Sequence, residues 1–283
     1  MKDRAAPKTQ SPRVLPGPGA CDTHIHFFTA DAPRADTARK PLPPPVGPSD
    51  YAALQSRLGL TRAVLVQPTH YGTDNSVQLD AMAQMGTAAR MVATIAPETS
   101  TKTLEALHRR GVRGARFFLL EGGAVAAKEL IHVAHQIAPL GWHVEVQING
   151  SDLPDLAPTL CALPCPVVIA HIGRFTPPVP VCDPAFQCLL RLVAEGLWVK
   201  ISAPYVNSRS GTPAYADVAA QARALIAQNP DRMLWASNWP HTNNAVAPDE
   251  AHLLDLLHSW CDDDTDRYQA ILSANPARLY GFV

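Results

Sequence analysis

The residues with most chemistry in them close short apolar runs. Cys21-Asp22-Thr23-His24-Ile25-His26 carries two imidazoles at i and i+2. On an extended strand that spacing sends both to one face, so His24 and His26 can address one centre, and Asp22 shares their face. A third imidazole, His171, follows Val168-Ile169-Ala170, with Arg174 three residues on. Other runs end in Gln67 followed by Thr69 and His70, in Arg116, in Glu145 and Gln147 on one face, and in Ser202 followed by Tyr205. The last is Trp235-Ala236-Ser237-Asn238-Trp239-Pro240-His241. Imidazoles exchange protons near neutrality and bind metals. A guanidinium fork matches a carboxylate, so Arg116 reads equally as an anion clamp or as a structural ion-pair partner. Glu145 sits early in its run, where it belongs to a buried layer and needs a partner. His143 begins a run, at the end opposite to the catalytic one. His108, His132, His135, His252 and His258 lie on helical stretches and read as surface residues.

These groups need a scaffold that gathers strand ends. Eight β-rich runs recur, at 20–26, 63–69, 91–96, 114–120, 143–148, 167–172, 197–203 and 233–240. Helical periodicity separates most of them, as in Leu130, Val133, Ala134 and Ile137, in Leu189, Leu192 and Val193, and in Leu253, Leu254 and Leu257. Alternating strands and helices predict parallel β/α units, and eight of them predict a single-domain TIM (β/α)8 barrel over 20–283. No Gly-x-Gly-x-x-Gly follows the first strand, which argues against a dinucleotide-binding sheet. Residues 1–19 read as a loose N-terminal arm. Residues 29–50 form a long proline-rich connection after strand 1, which a barrel places over its active face.

Composition narrows the function. The 283 residues carry 24 basic and 25 acidic side chains, a balance that gives no electrostatic reason to bind nucleic acid. No apolar run approaches a membrane span, and the polar, proline-broken start lacks a signal core. The 6 cysteines form no Cys-x-x-Cys pair, so reduced thiols in a cytoplasmic protein are expected. The 27 prolines concentrate in the arm, in the 29–50 connection and after strands, which predicts stiffened loops.

In combination these pieces resemble the amidohydrolase superfamily, in its branch of pyrone-dicarboxylate, sugar-acid and muconate lactonases. The pieces are Cys-Asp-Thr-His-Ile-His, His-Ile-Gly-Arg from His171 to Arg174, and Trp-x-x-x-Trp-Pro-His ending at His241. Gly72-Thr73-Asp74-Asn75, Gly114-Ala115-Arg116-Phe117 and Asn275-Pro276-Ala277-Arg278-Leu279-Tyr280 match as well. The resemblance implies a distorted barrel that opens small cyclic esters by water. It implies that His24, His26 and His171 polarise the lactone carbonyl and that Arg116 and Arg174 hold carboxylate. Around them, Thr69, His70, Gln147, Tyr205 and His241 are expected to face substrate.

The chain departs from that branch in three places. Asn238 stands where the branch has an aspartate base, and an amide cannot take a proton as a carboxylate does. Glu145 is the expected substitute, on the ground that burial raises a carboxyl pKa, with the histidines as the other option. Gln147 replaces a tyrosine, and Glu121-Gly122 stands where basic residues are expected, which leaves a dicarboxylate pocket short of positive charge. No cofactor is expected. The alternative is a single Zn²⁺ on His24, His26 and His171, which would generate hydroxide without a carboxylate base. The expected activity is hydrolysis of a lactone from aromatic or sugar-acid catabolism. Lactone isomerisation, zinc-dependent decarboxylation and a non-catalytic ligand-binding barrel are the alternatives. The sequence sets no oligomeric state.

Overall fold

The structure is a computed structural model and describes residues 10–242 and 247–283. Its eight strands are β1 (Cys21–Ile25), β2 (Arg62–Val66), β3 (Ala89–Ala93), β4 (Val112–Phe118), β5 (His143–Gln147), β6 (Val167–Ile169), β7 (Trp198–Ser202) and β8 (Met233–Ala236). They pair in parallel in sequence order, β1 to β8. The ring closes where Ile25 bridges Trp239 and where Asn238 N donates to the His24 carbonyl at 3.0 Å. This is the expected (β/α)8 barrel. Most ladders are shorter than the apolar runs that predict them. The surplus residues, such as 67–69, 170–172 and 237–240, leave the sheet at its C-terminal end and turn into the mouth.

The outer layer follows the helical periodicity. Helices α1 (Pro48–Leu58), α2 (Ser76–Met85), α3 (Thr101–Arg110), α4 (Leu130–Ile137), α5 (Leu153–Cys161) and α6 (Pro184–Ala194) follow the first six strands. The short α7 (Pro204–Asn207) and α8 (Ala216–Gln228) follow β7, and α9 (Glu250–Trp260), α10 (Thr265–Gln269) and α11 (Asn275–Tyr280) complete the chain. Leu130, Val133, Ala134 and Ile137 form the buried face of α4 against outward strand residues such as Phe117, Val144 and Val146. Inside the barrel a second apolar cluster joins Cys21, Val64, Val66, Val92, Val168, Trp198 and Leu234. Tyr280 and Phe282 pack into it from the C-terminal segment and plug the floor.

Three expectations change. Simple alternation puts Asp22 beside His24 and His26, but β1 slips against β2 between Asp22 and Ile25, three residues advancing over two. Such a bulge re-aims side chains. Cys21 therefore joins the interior cluster, while Asp22 turns outward to Tyr51 of α1, whose hydroxyl donates at 3.1 Å, and to Ser237. The described part of the N-terminal arm, 10–19, is not loose. Arg13 N donates to Asp255 at 2.7 Å, Tyr268 donates to the Val14 carbonyl at 3.0 Å, and Ser273 to the Pro18 carbonyl at 3.1 Å. These backbone groups gain partners that apolar spacing does not announce; residues 1–9 of the arm lie outside the described residues. The proline-rich connection ends at Gly47, because Pro48 starts α1 and Asp50 accepts from Gly47 N at 2.9 Å. Among the described residues the cysteines are free, and no helix is long and apolar enough to cross a membrane.

Candidate active site

The C-terminal strand ends surround a cavity of about 300 Å³. His26, Thr69, His70, Arg116, Gln147, His171, Arg174, Tyr205 and Asn238 all line it. His24 lies beneath His26, Glu145 beneath His24, and His241 behind Tyr205. The structure thus brings nine of the expected site residues to one cavity and leaves His24, Glu145 and His241 behind its wall. The backbone there is held in unusual conformations. His171, Ile172 and Arg174 after β6, Ala203 after β7, and Asn238 and His241 after β8 all have φ between 49° and 62°. Left-handed conformations at non-glycine residues cluster at functional sites, where surrounding packing must hold them.

The hydrogen bonds assign the ring protons. His26 Nδ1 stands 2.6 Å from the Val66 carbonyl, which only accepts, so Nδ1 carries the proton and Nε2 is bare in the neutral ring. His24 Nε2, 3.1 Å from His26 Nε2, is therefore the donor of that pair. His24 Nδ1 is then bare and faces the Lys200 ammonium at 3.5 Å. Lys200 also donates to the Thr23 carbonyl and to Glu145 Oε2, both at 2.6 Å. Glu145 Oε1 lies 3.2 Å from His24 Nδ1 and has no donor while that ring is neutral. Protonation of His24 would supply one, so Glu145 favours the imidazolium. His171 Nδ1 pairs with Ser202 Oγ at 2.9 Å.

Electrostatics keep these rings neutral. Burial, then Lys200, His26 and His171, push His24 well below the ordinary histidine value. Burial and Arg116 do the same for His26, and they lower His171 to about 3. Arg116 is lowered by burial to about 10 and stays charged at neutral pH. Its fork donates to the Gln67 carbonyl and, at 2.8 Å, to Gln147 Oε1, and it lies over the Phe118 ring. Among the described residues its Nε has no partner. The structural ion-pair alternative for Arg116 is not what the geometry shows: its two bonded acceptors are amide oxygens.

An amidohydrolase family model matches residues 21–282. The chain belongs to the amidohydrolase family. It is 36% identical over 281 residues to the D-galactarolactone isomerase of Agrobacterium fabrum, covering 97% of this chain and 94% of that protein. It is 36% identical over 276 residues to a 2-pyrone-4,6-dicarboxylate hydrolase of Comamonas testosteroni, covering 93% and 90%. A crystal structure of an Agrobacterium tumefaciens protein in its apo form superposes with a TM-score of 0.90 at 35% identity, covering 96% of this chain and 99% of that one.

Within this amidohydrolase barrel two expectations about chemistry are corrected. Glu145 is not a carboxylate with a raised pKa. Burial alone pushes it up, but Lys200, Arg116 and His143 outweigh burial and hold it below its ordinary value. It also lies outside the cavity lining. The expected shortage of positive charge is eased only in part: the proline-rich connection brings Arg39 and Lys40 to the cavity rim, and Arg39 pairs there with Glu121 at 3.3 Å. His24 Nε2 and His26 Nε2 stand 3.1 Å apart, and among the described residues no group of three or more His, Cys, Asp or Glu side chains is arranged to hold a metal ion.

Sequence reasoning missed Lys200, Asp22 as an outward anchor, and Glu250 with Arg57. Lys200 had a signal: a lysine inside Trp198-Val199-Lys200-Ile201-Ser202, on the face of Ser202 by strand alternation. Glu250 and Arg57 had none, being ordinary charged residues on two helices distant in sequence.

Proposed function

We propose that the protein opens a small lactone that carries a carboxylate, by attack of water on the ring carbonyl. The observation that carries this reading is Arg116: a buried guanidinium, aimed by two amide oxygens and, among the described residues, without a partner at Nε, beside neutral imidazoles at the cavity. Burying such a charge without a carboxylate partner is costly unless a ligand anion completes it. Arg174 adds to the same field, and Lys40 stands at the rim. His171, held through Nδ1 by Ser202 Oγ at 2.9 Å, lines the cavity where an oxyanion would develop in ester cleavage. The lactone and pyrone in the relatives' names support the substrate class.

The chemistry is read as metal-free, with protein donors polarising the carbonyl. The test is a panel of sugar-acid and muconate-type lactones followed by proton release, with metal analysis of the same preparation. Turnover of a carboxylated lactone is expected, with ¹⁸O from labelled water in the product; isomerisation would leave the label out. In His171→Ala, kcat is expected to fall by about 10²-fold or more. Stoichiometric zinc with activity lost on chelation would overturn the metal-free reading. Failure on every lactone would overturn the substrate class.

A further inference from the structure

Asn238 faces the cavity where the resembled lactonases have a carboxylate, yet it cannot take a proton. A directional hydrogen-bond chain starts at its amide and runs into the barrel wall. Asn238 Nδ2 donates to Tyr205 Oη at 3.0 Å. Tyr205 Oη lies 2.8 Å from His241 Nδ1. His241 Nε2 lies 3.0 Å from Glu250 Oε1, and Arg57 donates to Glu250 Oε2 at 2.9 Å. The ionised Glu250 only accepts, so His241 carries its proton on Nε2. Its Nδ1 is then bare in the neutral ring, and Tyr205 is the donor to it. His241 and Glu250 are buried, whereas Tyr205 opens onto the cavity. An imidazole that is oriented by a carboxylate and accepts from a hydroxyl facing substrate has the connectivity of a catalytic triad.

We propose that Tyr205, His241 and Glu250 form a proton relay that replaces the missing carboxylate base. This rests on the lactone reading for the identity of the nucleophile. As the nucleophile's oxygen bonds to the carbonyl carbon, its proton passes to Tyr205 Oη while Tyr205's own proton passes to His241 Nδ1. The carbonyl π pair moves onto oxygen. The tetrahedral intermediate then collapses, the ring C–O bond breaks, and the departing alkoxide takes its proton back from His241 through Tyr205. Tyr205 is the catalytic residue. Asn238 steadies charge on its oxygen, and Glu250 is a positioning residue that fixes the His241 tautomer and offsets the imidazolium. Burial raises the Tyr205 pKa, so no phenolate persists and the two transfers must be concerted.

The experiment combines turnover with ¹⁵N NMR of His241 in the intact protein. Tyr205→Phe is expected to cut kcat by about 10²–10⁴-fold with KM little changed. His241→Asn should match it, and Glu250→Gln should fall between these and the wild type. Adding Asn238→Asp to Tyr205→Phe should restore at least tenfold of the lost kcat, because a carboxylate then faces the cavity directly; lost packing would not be rescued this way. Wild-type kcat in Tyr205→Phe and His241→Asn would overturn the relay and leave the lactone reading standing. If no lactone is turned over, the NMR decides. A bare Nδ1 whose shift moves in Tyr205→Phe upholds the relay, and a protonated Nδ1 overturns it.

Discussion

Replacing Lys200 by methionine keeps most of the side-chain volume and removes one buried charge. Its ammonium is fully buried and sits 2.6 Å from Glu145 Oε2, itself buried. At an effective dielectric near 20, a pair at that distance attracts by about 6 kcal/mol. Part of this returns, because the variant no longer buries an ammonium, and removal of one partner of a buried pair usually costs about 3–5 kcal/mol. For a chain of this length the unfolding entropy is about 0.6 kcal/mol per degree, so Tm should drop by about 5–8 °C. The pH dependence is the sharper signature. In the wild type Glu145 lies below its ordinary value, so its contribution is present above the unfolded pKa and is lost as pH falls through the folded one. Without Lys200, burial is the largest influence left and raises the folded pKa. The variant's contribution is then present at low pH and lost as pH rises through that raised value. Urea denaturation at pH 5 and pH 7.5 should therefore show the deficit larger at pH 7.5. Adding Glu145→Gln should recover most of the loss. A deficit equal at both pH values and unrelieved in the double variant would refute charge burial as its cause.

Three further outcomes follow from the same geometry. Arg116→Met should raise KM for a carboxylated lactone by about 10–100-fold, the worth of a charge-assisted hydrogen bond, with a smaller change in kcat; unchanged KM would remove the clamp. Acid should unfold the protein through its buried neutral rings. His24, His26 and His171 sit below their ordinary value and His143 is lowered to about 4, so the unfolded chain binds more protons and stability is lost as pH falls below about 6.5. Up to about four protons then give a slope near 5 kcal/mol per pH unit, measurable by denaturation between pH 7 and pH 5, and a flat profile would contradict buried neutral histidines. Asn275→Ala should cost about 2–3 kcal/mol in denaturation, because the buried amide donates at 2.8 Å to both the Pro230 and the Met233 carbonyls.

Much of the site was legible because a parallel barrel converts a one-dimensional pattern into a place. A polar residue at the end of an apolar run lies at the C-terminal mouth once the runs are strands, so His26, Arg116, Gln147, His171, Tyr205 and Asn238 could be gathered before any contact was known. What alternation misjudged was Asp22, because a bulge is a pairing irregularity between two strands and leaves no trace in the spacing of one. Glu145 was misjudged for a related reason. Its residue type and burial were readable, but the sign of its pKa shift depends on the ammonium of Lys200, 55 residues away and across the barrel.

The sequence by itself determined the eight strand–helix units, the end of the barrel that carries chemistry, and the absence of a carboxylate at Asn238. These are properties of local periodicity and residue type, which the chain states directly. Only the tertiary structure decided which groups share protons and charge. Glu145 answers to Lys200, Arg39 and Lys40 come to the rim from a distant loop, and Asn238 reaches Glu250 through Tyr205 and His241. Hydrogen bonding and charge pairing act over about 3 Å in space without regard to separation along the chain, so folding has to bring the partners together before their chemistry is defined.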